Sequence, residues 1–317
     1  MPPVDSDSDE AITKEEIQGT EVPAASQAPP AKPRNACELR SPPHPKRPSY
    51  QGKMLDKLLT PLVTELMAAK PKPQSKSPGA THSKGNSVAR VFKDRDGLGA
   101  YIANPGGFPP SRVIYHTPDF VAIHDLYPKA SVHCLLLPRS DQHNLEHPFD
   151  AFEDAAFLAS VKAETAKLKT LVAKELQRRF GPHSKQDAAR EAVLNGTADP
   201  PDLEHPERLP EGRDWEAEVK VGVHAHPSMS HLHVHVFSRD MHSPCLKHRK
   251  HYNSFNTPFL VDIADFPLAE DDPRRHPGHE GFMKQGMVCW RCGRDFKNKF
   301  KELKDHLEIE FGEWKRE

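Results

Sequence analysis

The run His231-Leu232-His233-Val234-His235-Val236-Phe237 alternates imidazole and apolar side chains along the chain. Period two is the period of a β-strand, whose successive side chains leave on opposite faces. His231, His233 and His235 therefore share one face, and Leu232, Val234 and Val236 share the other, turned to a core. Packing alone does not put three imidazoles on one face of one strand. Two chemistries fit them. Neutral imidazoles can ligate a metal. Alternatively, one can be a nucleophile oriented by its neighbours, since histidine forms covalent intermediates and titrates near neutrality.

Outward from this strand, the pattern predicts an α+β fold. Val113-Ile114-Tyr115 and Phe120-Val121-Ala122-Ile123 read as strands separated by the turn Thr117-Pro118-Asp119, a hairpin signal. Residues 132–137 form a further strand closed by Pro138, and strands return at 221–224 and 232–237. Residues 94–104 predict a short helix ended by Pro105-Gly106-Gly107. Over residues 150–180 the period becomes helical. Phe157, Leu158, Val161, Leu168, Leu171, Val172 and Leu176 mark the apolar face, and Gly181 suits a C-cap. Residues 182–214 are polar, contain five prolines and read as a long surface insertion. The sum is a mostly antiparallel sheet with one long helix packed on it.

The 317-residue chain has a net charge of −1, so any basic surface must be local. Fourteen of its 32 prolines fall within residues 1–90, where Tyr50 is the one aromatic. Such a segment cannot offset its ordering entropy by burial, and a disordered N-terminal tail is expected. Within it, Met54, Leu55, Leu58, Leu59, Leu62, Val63, Leu66 and Met67 recur at helical spacing, with Pro61 inside. Residues 53–69 thus form a short amphipathic segment suited to docking on the domain or on a protein partner. The acidic run Asp5-Ser6-Asp7-Ser8-Asp9-Glu10 reads as a solvated tail, and Pro45-Lys46-Arg47-Pro48 is a short basic cluster. No leader pattern and no apolar run near 18 residues is visible, so neither a signal peptide nor a membrane span is expected.

The five cysteines are an odd number, and Cys289-Trp290-Arg291-Cys292 is spaced as a metal knuckle. A helical stretch through Leu303, His306, Leu307 and Phe311 follows. This resembles a two-cysteine, two-histidine finger, but the second histidine is absent. Glu310 stands four residues after His306 on the same helical face, whereas Glu308 points elsewhere. Cys289, Cys292, His306 and Glu310 are therefore the expected ligands of a structural Zn2+.

The pattern of alternating histidines resembles the signature of the histidine-triad (HIT) superfamily. Its neighbours His224-Ala225-His226-Pro227-Ser228-Met229-Ser230 resemble the aprataxin family, which removes AMP from 5′-adenylated DNA. So do Ser243-Pro244-Cys245-Leu246-Lys247, Asn253-Ser254-Phe255-Asn256-Thr257 and Asp125-Leu126-Tyr127-Pro128-Lys129-Ala130 with His133. The likeness spans roughly residues 92–317 without the 182–214 insertion. Position 226 carries histidine where an apolar residue is expected. The resemblance implies a HIT-like domain at 91–275 and a finger at 276–317. It makes His233 the nucleophile, supported by His231 and His235, and has His224 protonate the leaving group or assist the phosphate charge. Ser228 and Lys247 would bind phosphate, Asp125 would accept from ribose hydroxyls, and Lys129 and His133 would lie beside the nucleotide or the DNA phosphate. No catalytic metal is required. The implied partner is DNA with 5′-AMP ends, at nicks, double-strand ends or RNA–DNA junctions, which implies the nucleus and no membrane. Leu98 and Tyr101 are candidates for stacking on a DNA end, set against a core role. Two other functions fit parts of the sequence: a general hydrolase of small adenylated nucleotides, and a nucleic-acid scaffold with an inactive triad.

Overall fold

The computed structural model describes residues 95–202 and 204–317. The expected tail at 1–90 and the amphipathic segment at 53–69 lie outside the described residues. The described chain begins with helix α1 (Gly99–Ala103). Strands β1 (Val113–His116), β2 (Phe120–His124) and β3 (His133–Pro138) follow as a meander. Next come α2 (Pro148–Ala151), α3 (Ala155–Phe180) and α4 (Ala188–Leu194). Strands β4 (Val219–His224) and β5 (Val234–Ser238), helix α5 (Arg249–Asn256) and strand β6 (Leu260–Asp262) close the sheet. The C-terminal part holds α6 (Pro277–Glu280), the hairpin β7 (Met287–Val288) and β8 (Asp295–Lys297), and α7 (Phe300–Trp314).

The six strands run β1-β2-β3-β5-β4-β6, with every pairing antiparallel. Alternation sorts their side chains into two layers. Cys134, Leu136, Val221, Val223, Val234 and Val236 pack with Leu158, Val161, Leu168, Val172 and Leu176 of α3. On the other face, Leu135 and Leu137 of β3 meet Leu98, Tyr101 and Ile102 around α1. Leu98 and Tyr101 are thus core residues, 7% and 5% exposed, which excludes them as a stacking platform. Next to them on that face lie His133, His224 and His235, covered by Phe255 of α5.

Several local expectations shift. The helix expected over 150–180 is two helices, because Asp154 caps the second: its Oδ1 accepts from the Ala156 and Phe157 N–H groups at 2.9 and 3.0 Å. Gly181 does cap α3, but in right-handed geometry (φ −50°), leading into a 3-10 turn. Leu171, expected on the apolar face, is exposed. The triad strand starts at Val234 rather than Leu232, since the Leu232 N–H is taken by the Asn144 carbonyl at 2.8 Å.

The 182–214 insertion is more than surface. Its two ends converge on Asp187, which is fully buried and accepts from the Trp215 indole at 2.8 Å and the Arg213 N–H at 3.1 Å. The Arg213 guanidinium lies over the Trp215 and Trp314 rings, at 4.5 and 5.0 Å, and donates to the Trp314 carbonyl at 2.5 Å. It also pairs with Glu218 at 3.2 Å. Polar residues are buried here because they satisfy one another. The insertion thereby ties the end of α7 to the sheet domain. Leu303 and Leu307 of α7 share a core with Phe237, Tyr252 and Phe255, so finger and sheet domain belong to one packed unit.

Candidate active site and metal centre

The hydrogen bonds fix the protonation of the central imidazoles. A carbonyl oxygen only accepts, so the 2.7 Å bond between His233 Nδ1 and the His231 carbonyl puts the proton on Nδ1. His233 Nε2 then carries a lone pair. The Lys129 backbone N–H donates to His133 Nδ1 at 3.1 Å, which leaves the His133 proton on Nε2. That N–H donates to His235 Nδ1 at 3.0 Å, with Asp125 Oδ2 at 3.4 Å. His235 Nε2 is therefore an N–H donor, buried and without a protein partner. The result is a lone pair on one imidazole and a free donor on its neighbour, with ring centroids 4.9 Å apart. This is the pairing that attack on a charged phosphorus requires.

His224 sits beside His235, centroids 4.4 Å apart, and its buried Nε2 also lacks a partner. Burial keeps these rings neutral. It lowers His133 to about 4, lowers His233 below its ordinary range and takes His224 and His235 well below theirs. His231 stands apart. Its ring lies against Gly99, where an added Cβ would meet it at 2.8 Å, and its direct service to His233 is the backbone carbonyl.

The flanking candidates divide. Asp125 folds inward, its Oδ1 accepting from the Tyr127 N–H at 2.8 Å while Oδ2 faces His133. Lys129 is buried, and its Nζ donates to the Tyr127 carbonyl at 2.7 Å. Ser228 is buried in the loop before the triad, which is held by the Ser230 N–H on the Arg95 carbonyl at 3.0 Å. Lys247 is exposed; its backbone N–H donates to His251 Nδ1 at 3.2 Å. Phe255 is the residue that the sequence offered without a role. Its ring centroid lies 4.7–5.2 Å from those of His133, His224 and His235, and it forms the apolar lid that lowers their basicity.

In the C-terminal module, donor atoms of Cys289, Cys292, His306 and Glu310 all lie within 4.8 Å of one another. His306 Nε2 is 3.1 Å from Cys292 Sγ and 3.1 Å from Glu310 Oε1. Tetrahedral Zn2+ separates its ligand atoms by roughly 3.3–3.8 Å, so a small adjustment seats the ion. Gly293, with φ +75°, closes the knuckle by donating to the Cys289 carbonyl at 3.0 Å. The sequence did not reveal Arg291, which donates to Glu310 Oε2 at 2.6 Å and leaves Oε1 to the metal side. That bond holds the Glu310 carboxyl below its usual range. Glu308 points away, to His242 Nε2 at 2.9 Å.

Comparison with known proteins agrees with this arrangement. A HIT domain family model matches residues 108–242, and a C2HE / C2H2 / C2HC zinc-binding finger model matches residues 256–313. The aprataxin-like protein of Saccharomyces cerevisiae is 33% identical over 219 residues, 68% of this chain and 95% of the relative. The chain belongs to the aprataxin family. The aprataxin-like protein of Schizosaccharomyces pombe is 31% identical over 222 residues, 69% of this chain and 82% of its own length. Among solved structures, the aprataxin ortholog Hnt3 in complex with DNA superposes with a TM-score of 0.54 at 29% identity, covering 69% of this chain and 96% of that one. As an aprataxin-family member with a HIT domain and a zinc-binding finger, the chain is a nucleotide-processing hydrolase.

Proposed function

We propose that the chain removes AMP from 5′-adenylated DNA ends, in the nucleus, during repair of breaks left by abortive ligation. The observation that carries this is the fixed tautomer pair, His233 with a free Nε2 lone pair beside His235 with a free Nε2–H. The family relationship and the DNA complex of the Hnt3 relative support nucleic acid as the substrate.

His233 Nε2 attacks the phosphorus of the AMP moiety, and the bond to the bridging oxygen of the DNA 5′-phosphate breaks. His235 Nε2–H donates to a non-bridging oxygen as charge builds there. His224 is neutral in the free protein. The arriving pyrophosphate favours its imidazolium, so the acid that protonates the departing DNA phosphate forms with the substrate. Water then attacks the phosphorus of the His–AMP phosphoramidate and gives a proton to His224, neutral again after the first step; the N–P bond breaks, AMP leaves and His233 regains its lone pair. Asp125 and Lys129 set the His133–His235 chain and also border the nucleotide, while Ser228 and Lys247 serve phosphate. Cys289, Cys292, His306 and Glu310 would hold a structural Zn2+, whose binding would order the finger.

The test is a gel assay on a nicked duplex with a labelled 5′-AMP cap, run beside a small adenosine phosphoramidate. Wild type removes the cap, and His233→Ala loses at least about 10^3-fold on both substrates, the scale of losing a covalent nucleophile. Cleavage of the small substrate with the DNA cap left intact would replace this reading with a general nucleotide hydrolase.

A further inference from the structure

Three depressions adjoin the loop that leads into the triad, and they share walls. One of about 540 Å3 is bordered by Gly99, Asn144, Leu145 and His231. A second of about 220 Å3 also uses His231, and continues past Arg95, His147 and Ser230 to His226. A third of about 310 Å3 starts at His226 and ends in the segment before the Cys289–Cys292 knuckle, at His276, His279 and Lys284, with Phe259 and Met283 beside them.

The third depression has three imidazoles and an ammonium in its lining, and no carboxylate. The acidic groups around it are spoken for or turned outward. Asp265 and Asp272 bind Arg274 at 2.5 and 2.8 Å, and Glu153 faces Arg275 at 3.7 Å. Glu270, Asp271 and Glu280 are exposed on the same segment and do not border the cavity. His226 is the shared wall, and it is the position where the family resemblance leads one to expect an apolar side chain. His226 borders both the second and the third depression, so its imidazole links the basic groups beside Lys284 to the triad loop, where Glu146 also lines the second depression. A mononucleotide has one phosphate group, which belongs at His233. A separate basic depression, reached from the triad loop past the shared wall His226, suits a further phosphate of a polymer.

We propose that His226, His276, His279 and Lys284 hold a backbone phosphate of the nucleic-acid strand whose end lies at His233. This rests on the DNA-end reading for the identity of the strand. Imidazole N–H groups donate to phosphate oxygens, and phosphate favours their protonated form, while Lys284 supplies fixed charge.

The experiment uses the full chain carrying His279→Glu and Lys284→Glu, two exposed positions, with Lys174→Glu on the opposite face of the sheet as a charge control. Binding of a labelled nicked duplex ending in 5′-phosphate is measured by fluorescence anisotropy across a salt series. Lost phosphate contacts lower the slope of log K against log salt by about one each. The double variant is expected to bind at least about fivefold more weakly with a slope smaller by about one, the scale of one lost phosphate contact. Its turnover of the small adenosine phosphoramidate is expected to equal wild type. Affinity and slope matching wild type, or an equal loss in the Lys174→Glu control, overturns the proposal. So does a parallel fall in small-substrate turnover, or lost inhibition by inorganic phosphate with unchanged duplex binding, which would mark a small-anion site. If wild type binds the duplex with the expected sensitivity but leaves the AMP cap in place, the phosphate site stands and the deadenylation reading falls.

Discussion

The nucleophile role proposed for His233 needs an uncharged ring, and its surroundings favour that state. Burial lowers its basicity, and the same holds for His133, His224 and His235. Protonation of the free protein therefore begins below the ordinary histidine value of about 6.5. A profile of kcat/KM against pH is expected to fall on the acid side, where His233 takes up a proton, with a midpoint below 6.5; a midpoint at or above 7 contradicts the buried geometry. The His133 N–H selects the tautomer of His235, so His133→Leu should lower kcat by roughly 10^2–10^4-fold, the range known for losing an imidazole's orienting partner. His133→Gln keeps a donor and should recover part of that loss. At the finger, Arg291→Ala should weaken Zn2+ binding by about 10–100-fold in a chelator competition, because Glu310 loses the bond that presents Oε1. The histidines were legible as a group because alternation is a strong signal. Their tautomers were not, because these depend on the His231 carbonyl and the Lys129 N–H, backbone groups that no side-chain pattern encodes.

Strands with strict period two were readable from the sequence, and the five expected ones all form. Strand β6 was missed because three residues, Leu260–Asp262, are too few to show a period. It matters, since it backs β4 at the end that carries His224, through the His224–Leu260 pairing. Gly222 permits that pairing: a Cβ there would come within 2.5 Å of the Val261 carbonyl. Gly222→Ala should destabilise the protein by about 1–3 kcal/mol in urea unfolding, and activity should fall with it as β6 moves off. The split between α2 and α3 was hidden for a different reason. Ala151 and Phe152 are both buried and continue the apolar pattern, while the break is made by the Asp154 side chain.

At the level of the whole molecule, the insertion and the finger are coupled through one cation. Arg213 binds the Trp314 carbonyl and Glu218 in a site where its side chain is 3% exposed. Arg213→Ala leaves Glu218 without that buried counter-charge and should cost about 3–5 kcal/mol, read as a lower midpoint in denaturant. Composition could not foretell this clamp. Residues 182–214 read as polar surface because Asp187 and Arg213 are polar, and only the folded chain brings the two together. Acid should strain the same unit. Buried histidines whose basicity is lowered bind fewer protons folded than unfolded, so stability is full above about 6.5 and declines as pH falls toward about 4, the value of His133. Thermal unfolding followed across that interval checks it; a Tm unchanged from pH 7 to 4 contradicts it.

Helix α5 has the catalytic rings on one side and the knuckle on the other. Phe255 presses on His133, His224 and His235, while the Tyr252 hydroxyl donates to the Val288 carbonyl at 2.8 Å and accepts from the Trp290 N–H at 2.9 Å. A zinc ion held at the knuckle would thus be a rivet through the roof over the proposed reaction chamber. Zinc starvation would act as a turnover defect as well as a grip defect, slowing even a substrate too small to touch the finger.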